Sequence, residues 1–215
     1  QQWNLPLINM PQAWDISVAA GSGVIVAVVD SGLTIRDGTF GFRLWTPFGF
    51  QTFAVPLLRT MDFDHARVQG AIDLQTFGRW TSGGTPLMFD AGGHGTHVAG
   101  TIAQQTNNSF GFSGIANGVT IMPIKACFEP CDVQLYANQF LGIPAFARAD
   151  DAGCETPAVV AGIRHPADNG ARVINVSIGG SNPQPAELDA LNYAVSKGAF
   201  VAIAGGNEAR DGNPI

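Results

Sequence analysis

Four long apolar runs limit what this chain can fold into. They are GVIVAVVD (23–30), VTIMPIKA (119–126), ARVINVSI (171–178) and AFVAIAGG (199–206). Apolar residues dominate each run instead of alternating with polar ones, which is typical of strands covered on both faces. We therefore predict a mostly parallel sheet buried between two layers of helices.

Helical segments separate these strands. Residues 94–105, 156–170 and 185–198 have the composition of helices, and the last two carry a proline at their entry. Thr156 is the expected N-cap of its helix, and Pro166 is expected to kink or end that helix early. The alternation of strands and helices predicts right-handed crossovers and a doubly wound α/β fold. In such folds the chemistry lies beyond the C-terminal ends of the strands.

The chain has the size of one domain. Its 215 residues, 46% of them hydrophobic, suffice for one sizeable core. Residues 34–90 and 127–153 lack clear periodicity and are interpreted as loop insertions, with a hairpin inside. The N-terminus has neither an initiator Met nor a signal-peptide pattern, so we expect a processed chain.

The charge pattern limits the partners. The formal net charge is −6, and no run of Lys or Arg offers a patch for a polyanion. No apolar run approaches the ~20 residues of a membrane helix. We therefore expect neither nucleic acid nor a membrane as a partner.

Three cysteines, Cys127, Cys131 and Cys154, are present. An odd count leaves one thiol free or paired with another chain, and the spacing lacks the paired C-x-x-C of zinc sites. We expect one disulfide formed in an oxidising compartment, with three buried thiols as the alternative. The pairing stays open.

Polar residues with chemical potential follow the first strand and open the next helix. Asp30 ends the first strand in VVDSG, where an isolated acid is usually a turn former or helix cap. In GGHGTHVAG (92–100), His94 stands at the helix mouth and His97 one turn later. Either histidine alone also fits a hydrogen-bonded core residue. Zinc proteases space their histidines four apart with a glutamate between, whereas here the spacing is three and Gly95 replaces the glutamate, which argues against a metal.

Two further strands end in glycine-containing segments. SIGG (177–180) and AIAGGN (202–207) let an extended ligand lie against the backbone, and Asn207 offers an amide donor. Each segment alone also fits a simple turn. Because the ends of parallel strands converge on one rim, we favour a binding site.

Taken in order, PQAWD, VVDSG, GHGTHVAGTIA, NNSFGFSGIA, VINVSIGG and AGGNE resemble the subtilisin-like (subtilase) family of serine proteases. The resemblance covers most of the chain apart from the two insertions, and it implies a secreted serine endopeptidase with an Asp-His-Ser triad. It implies that Asp30 is the triad acid, His94 the general base and Asn207 the oxyanion donor. His97 would be structural, packed behind the site.

The resemblance also implies a groove for an extended peptide or protein substrate. The residues expected to contact that substrate are Ser177, Ile178, Gly179, Gly180, Ala204, Gly205, Gly206 and, on the opposite side, Gly153.

QTNNSFGFSGIA (105–116) resembles the calcium loop of the same family. Oxygen ligands of this kind suit calcium, so we expect a structural calcium ion. A gapless alignment after Asp30 puts Thr39 where the family has an aspartate ligand, and Asp37 is close by. The expected ligands are Gln2, Asp37, Thr106, Asn108, Phe110 and Phe112.

The nucleophile of the family is missing. The resemblance requires a serine in a segment like G-T-S-M-A about 160 residues after the histidine. The serines at the expected calcium loop and substrate groove, Ser109, Ser113, Ser177 and Ser181, are not placed to replace it. We therefore expect residues 1–215 to be the N-terminal portion of one catalytic domain, inactive alone, with the serine on a separate C-terminal chain left by an autoproteolytic nick.

Two other functions remain open at this point. One is a catalytically inactive binding module with the subtilisin fold, against which the joint presence of Asp30, His94 and Asn207 argues. The other is a metallohydrolase using Asp30, His94 and His97, against which the histidine spacing argues.

Overall fold

The computed structural model describes residues 2–17, 19–75, 81–82, 85–86, 88–146, 148, 152–180 and 184–206. The strands are β1 (Ile25–Asp30), β2 (Gly38–Thr46), β3 (Gly49–Leu57), β4 (Ile72–Asp73), β5 (Thr81–Ser82), β6 (Thr85–Pro86), β7 (Thr120–Lys125), β8 (Cys127–Phe128), β9 (Gly153–Cys154), β10 (Val173–Val176) and β11 (Phe200–Ile203). The helices are α1 (Asn4–Leu7), α2 (Met10–Ile16), α3 (His94–Ala103), α4 (Pro130–Tyr136), α5 (Thr156–Asp168) and α6 (Pro185–Ser196), with a 3₁₀ turn at His65–Arg67 and a π-helical turn at Ala137–Leu141.

The central sheet has five strands in the order β11-β10-β1-β7-β4, and every neighbouring pair is parallel. Val29 in β1 lies opposite Ile124 on one side and Val176 on the other. This confirms the doubly wound, mostly parallel sheet predicted from the four apolar runs. β4 was not predicted, because two residues are too short to give a periodic pattern.

Helices cover the sheet on both faces. Alternate residues of β1 point to opposite sides, as in any strand. Ala27 and Val29 contribute to a core with α5 and α6, and Val26 and Val28 to a second core with α3. Both faces of β1 are therefore apolar and buried. Asp30, at the end of the strand, is its one charged residue, and it is buried as well.

Helix α5 differs from the prediction at both ends. Its N-cap is Glu155, not Thr156, and the helix runs unbroken through Pro166 to Asp168. Pro166 lies in the last turn and has no backbone N–H to donate. The missing hydrogen bond therefore falls close to the end of the helix, where it does not interrupt a long helical segment. The backbone N–H of Asn169 donates to the carbonyl of Pro166 at 3.1 Å and closes the end.

The two insertions pack against each other. The first contains the expected hairpin, formed by β2 and β3, and the second contains α4 and the π-helical turn. Phe42 and Leu57 of the hairpin share a small core with Leu135 of α4. The ring of Phe42 also lies 5.9 Å from that of Phe89, which is five residues before the histidine at the start of α3. The insertions therefore form one unit beside the helix that carries His94.

A disulfide joins Cys127 to Cys154, with an S–S distance of 2.06 Å. It links β8 to β9, which also pair as antiparallel strands. Cys131 is a free, exposed thiol. One disulfide was expected, and the structure supplies the pairing that the sequence left open. Within the described part of the chain, no helix combines the length and apolar character required to cross a bilayer.

Candidate active site

Asp30 lies at the C-terminal end of β1, in the middle of the sheet. The residue is 1% exposed, and its main-chain carbonyl accepts a hydrogen bond from the N–H of Ala126 at 2.8 Å. The side-chain Oδ1 accepts the backbone N–H of Ser31 at 2.7 Å. The strand and the following turn thus fix the direction in which this carboxylate points.

His94 is the first residue of α3, and the glycines around it explain its position. Gly93, the N-cap, has φ 84°, a left-handed conformation that glycine adopts without a steric cost. Gly95 lies directly on the backbone of Gly32, where any side chain would collide with the carbonyl oxygen of Gly32. The helix can therefore begin against the end of β1 and bring the imidazole to Asp30.

The imidazole Nδ1 of His94 lies 2.7 Å from Oδ1 of Asp30. A carboxylate only accepts hydrogen bonds, so Nδ1 carries the proton in the neutral ring and Nε2 is the acceptor. The histidine side chain is 56% exposed, whereas that of the aspartate is 1% exposed. This is the arrangement of a general base: a buried acid fixes the tautomer of a ring that a hydroxyl can reach from solvent.

The surroundings favour the protonated form of His94. The hydrogen bond to Asp30 raises the pKa of His94, partial burial opposes the rise, and the charges of Asp30, Asp90 and Glu129 add to it. The imidazolium formed when the base takes a proton is thus stabilised by three carboxylates.

Two side chains that support this pair were not singled out from the sequence. Asp90 accepts the hydroxyl of Ser31 on Oδ1 and the backbone N–H of Thr96 on Oδ2, both at 2.7 Å. The same hydroxyl accepts the backbone N–H of Gly95 at 2.9 Å. Asp90 thus caps a helix whose N-cap glycine has no side chain. The sequence does contain a signal for this role, because an acidic residue shortly before a helix often caps its first turn.

The strand ends grouped in the sequence analysis lie along one edge of the sheet. Residues 177–180 follow β10, whose last residue, Val176, is level with Val29 just before Asp30. Residues 204–206 follow β11, and the N–H of Ala204 donates to the carbonyl of Val176 at 3.1 Å. The predicted oxyanion donor, Asn207, lies outside the described residues, so its role stays a prediction.

A cavity of about 490 Å³ opens beside these strand ends. A Cβ on Gly179 or Gly180 would meet no described atom within 4 Å, so no described side chain fills the space beside these two residues. Gly153 pairs with Phe128 in the short β8–β9 ladder on the opposite side. Among the residues that line the cavity are Cys154, Ile178, Gly179, Gly180 and Ala204.

His97 does not lie where it was expected. The prediction placed it packed behind the site, but its side chain is exposed. The buried stripe of α3 contains Gly95, Ala99 and Ala103, spaced four apart as a helix face requires. His97 falls between these positions and lines a separate cavity of about 520 Å³ that also contacts Gln2.

The segment resembling a calcium loop is held by a carboxylate that the sequence analysis missed. Asp62 accepts the side-chain amide of Asn108 at 2.6 Å and the backbone N–H of Phe112 at 3.2 Å. Gln2 exchanges two hydrogen bonds with the backbone of Ser113, at 2.8 and 2.9 Å, as expected of a residue that closes this loop from the N-terminus. Asp62 and Gln2 therefore each hold one part of this loop, and their side-chain oxygens are of the kind that suits calcium.

Asp37, the carboxylate predicted for this site, has a different partner. It accepts the backbone N–H of Arg59 at 2.8 Å and lies 3.4 Å from the guanidinium of the same residue. Asp62 is thus the carboxylate in contact with residues 105–113, and the hairpin β2–β3 separates it from Asp37 in the sequence.

Comparisons with known proteins agree with this geometry. Residues 21–215 match the profile described as the subtilase family. The chain is 30% identical over 208 residues to thermitase from Thermoactinomyces vulgaris, covering 96% of this chain and 55% of the relative. It is 33% identical over 209 residues to an extracellular protease from Xanthomonas campestris, covering 94% of this chain and 32% of the relative. It is 36% identical over 205 residues to subtilisin BL from Lederbergia lenta, covering 95% of this chain and 55% of the relative.

Solved structures show the same fold. Fervidolysin from Fervidobacterium pennivorans, described as a keratinolytic enzyme related to subtilisin, matches with a TM-score of 0.56 at 27% identity, over 91% of this chain and 23% of that one. MycP1 matches with a TM-score of 0.51 at 21% identity, over 95% and 49%. The described sheet and helices are thus a partial subtilisin fold. The chain spans about half the length, or less, of the relatives it matches.

Proposed function

Because the chain belongs to the subtilase family of serine proteases, we propose that it supplies the acid and the base of a secreted serine endopeptidase. The observation that carries the proposal is the 2.7 Å hydrogen bond between the half-exposed His94 and the buried Asp30. A disulfide in the chain and a relative named as an extracellular protease support secretion.

In this mechanism neutral His94 takes the proton of a serine hydroxyl at Nε2 as the hydroxyl attacks the scissile carbonyl. Asp30 keeps the proton of the neutral ring on Nδ1 and stabilises the imidazolium that forms. His94 then returns the proton to the leaving amine. Asn207 would donate its side-chain amide to the oxyanion, an interaction that contributes about 3–4 kcal/mol in related enzymes.

The serine is proposed to lie outside this chain, in a C-terminal segment that docks on the exposed edge of the sheet. β11 has one neighbour among the described strands, and its Phe200 and Ile203 are 68% and 54% exposed. Val195 of α6 is 60% exposed. Apolar side chains on an unpaired strand edge are normally covered by further structure, which supports a partner segment of the same protease.

The substrate is proposed to be an extended peptide or protein strand. The open backbone at Gly179 and Gly180 can pair with a substrate main chain, as in β-strand addition. Ala204, Gly205 and Gly206 would wall the pocket for the residue before the scissile bond, because small residues there leave room for a side chain.

A fluorophosphonate labelling experiment tests this function. The complete protein, purified under native conditions, should hydrolyse casein near neutral pH and lose that activity as one serine outside residues 1–215 takes up the label. Intact mass before and after denaturation then shows whether that serine is on a separate chain. Neither label nor hydrolysis would indicate an inactive binding module. Activity that survives the label but is lost to a zinc chelator would indicate a metallohydrolase.

We further propose that a structural calcium ion is held by Asp62, Asn108 and Gln2 with the backbone carbonyls of Thr106, Phe110 and Phe112. Removing it with excess EGTA should lower the melting temperature of the complete protein. A ligand at 100 times its Kd adds about 2.7 kcal/mol, which corresponds to roughly 5–10 °C for a domain of this size.

Two variants make the calcium test specific. Asp62→Asn should lose most of the calcium-dependent rise in melting temperature, because a carboxylate ligand is removed. Asp37→Asn should keep it, because Asp37 pairs with Arg59. If EGTA leaves the melting temperature of the unaltered protein unchanged, the loop holds no calcium ion.

A further inference from the structure

The second insertion, residues 127–153, is held next to the two candidate catalytic residues by a disulfide and by buried hydrogen bonds. The Cys127–Cys154 disulfide closes it into a loop. Inside the loop, the carboxylate of Asp132 accepts a hydrogen bond from the buried ammonium group of Lys125 at 2.8 Å. The same ammonium group donates a second hydrogen bond to the main-chain carbonyl of Ser31 at 2.6 Å. Asp132 also accepts the backbone N–H of Glu129 at 3.0 Å. The place of Glu129 is therefore set by the loop closure and by an anchored neighbour.

Glu129 contacts the segment that leads into the catalytic helix. Its carboxylate accepts the backbone N–H of Gly92, two residues before His94. A Cβ on Gly92 would overlap the carboxyl group of Glu129, so a glycine at 92 is what permits the contact. This segment otherwise depends on Asp90 and on the left-handed Gly93.

We propose that Glu129 is a positioning residue for His94, which holds the Gly92 backbone and places a third negative charge next to the base. The proposal rests on the proposed protease function and adds a residue to it. In chain order, the carboxylates acting on the imidazole are Asp30 at the end of β1, Asp90 before α3 and Glu129 before α4.

The charge of Glu129 has a defined direction of effect. It raises the pKa of His94, after the hydrogen bond and charge of Asp30 and the charge of Asp90. The pKa of Glu129 is itself raised, chiefly by burial, and the Gly92 hydrogen bond opposes this. A base must be neutral to act, so activity rises with pH through the pKa of His94. Removing the Glu129 charge must move this rise to lower pH.

Three variants separate the charge from the contact. Glu129→Gln removes the charge and keeps an acceptor for Gly92, so it should shift the acidic limb of kcat/KM to lower pH with little loss at the plateau. Glu129→Ala removes both and should also lower kcat roughly 10-fold, because a displaced base reacts slowly. Gly92→Ala should displace the carboxylate and lower kcat as Glu129→Ala does, with a smaller shift of the acidic limb because the charge stays in the protein. Combining Gly92→Ala with Glu129→Ala should lower kcat no further than Glu129→Ala alone.

The decisive measurement is an NMR titration of the histidine rings in the complete protein, with the His94 signal assigned by its absence in His94→Ala. In Glu129→Gln this ring should titrate at lower pH than in the unaltered protein, and kcat/KM should follow it. Asp189→Asn, which removes one exposed charge from α6, is the matched control and should shift neither.

Each outcome of this titration decides the proposal. An unchanged His94 titration in Glu129→Gln, or an equal shift in Asp189→Asn, overturns it. If the unaltered protein cleaves no peptide, the protease function fails, but the ring titration still shows whether Glu129 acts on His94.

Discussion

Replacing His94 with alanine is expected to lower kcat for peptide hydrolysis by about 10⁶-fold, the loss typical of a triad base. A neutral serine hydroxyl is a poor nucleophile, and the imidazole at 2.7 Å from Asp30 is the group placed to remove its proton. A loss of this size corresponds to about 8 kcal/mol of transition-state stabilisation. The residual rate should still exceed that in water, because oxyanion and substrate contacts remain.

The matched control for this variant is His97→Ala. The two histidines lie on the same helix, but His97 is exposed and lines the cavity beside Gln2. We expect His97→Ala to retain kcat within a few-fold, since its ring is not placed against Asp30. Steady-state kinetics on a chromogenic peptide, with circular dichroism to confirm folding, measures both. Equal losses in two folded variants would contradict the assignment of the base.

Residues with a strong local pattern were predictable from the sequence. The apolar runs gave β1, β7, β10 and β11, because a strand buried on both faces requires continuous apolar residues. Glycines marked the start of α3. Gly93 has a left-handed backbone conformation, and Gly95 packs so closely on Gly32 that no side chain fits there. The Asp30–His94 pair followed from the resemblance, and the structure brings the two side chains into contact.

Contacts between distant segments were not predictable. The count along the chain from Asp30 pointed to Asp37, whereas the carboxylate that contacts Asn108 and Phe112 is Asp62, which follows the hairpin β2–β3 in the sequence. Nothing in the sequence links Glu129 with Gly92, which are 37 residues apart. The exposure of His97 depends on which face of α3 meets the sheet, and the predicted helix did not specify that face.

Lys125 provides the second large expected effect. Its side chain is 0% exposed, that of Asp132 is 3% exposed, and the two meet at 2.8 Å. Asp73, also buried, lies opposite Lys125 in the sheet. Taking charges out of water is costly, so a buried pair adds little compared with apolar residues of the same shape. Removing one partner is different, because the other charge stays buried without compensation.

Lys125→Met keeps the shape of the side chain and removes the charge, leaving the carboxylate of Asp132 without its cation. We expect the complete protein to lose about 3–5 kcal/mol of unfolding free energy, measured by guanidinium titration near neutral pH. Lys197→Met is the matched control. Lys197 forms an exposed pair with Asp168 at 3.1 Å, and water screens such a pair, so its loss should change the unfolding free energy little.

The pH dependence of the Lys125→Met deficit tests its cause. Burial raises the pKa of Asp132 and Lys125 opposes the rise, so the variant should raise that pKa further. A carboxyl group whose pKa is higher in the folded state than in the unfolded state destabilises the fold once pH rises above the unfolded value. The deficit should therefore be smallest in acid, where Asp132 is protonated, and should grow as pH rises through the raised pKa. A deficit of the same size at every pH would mean that lost packing, not an unpaired charge, explains it.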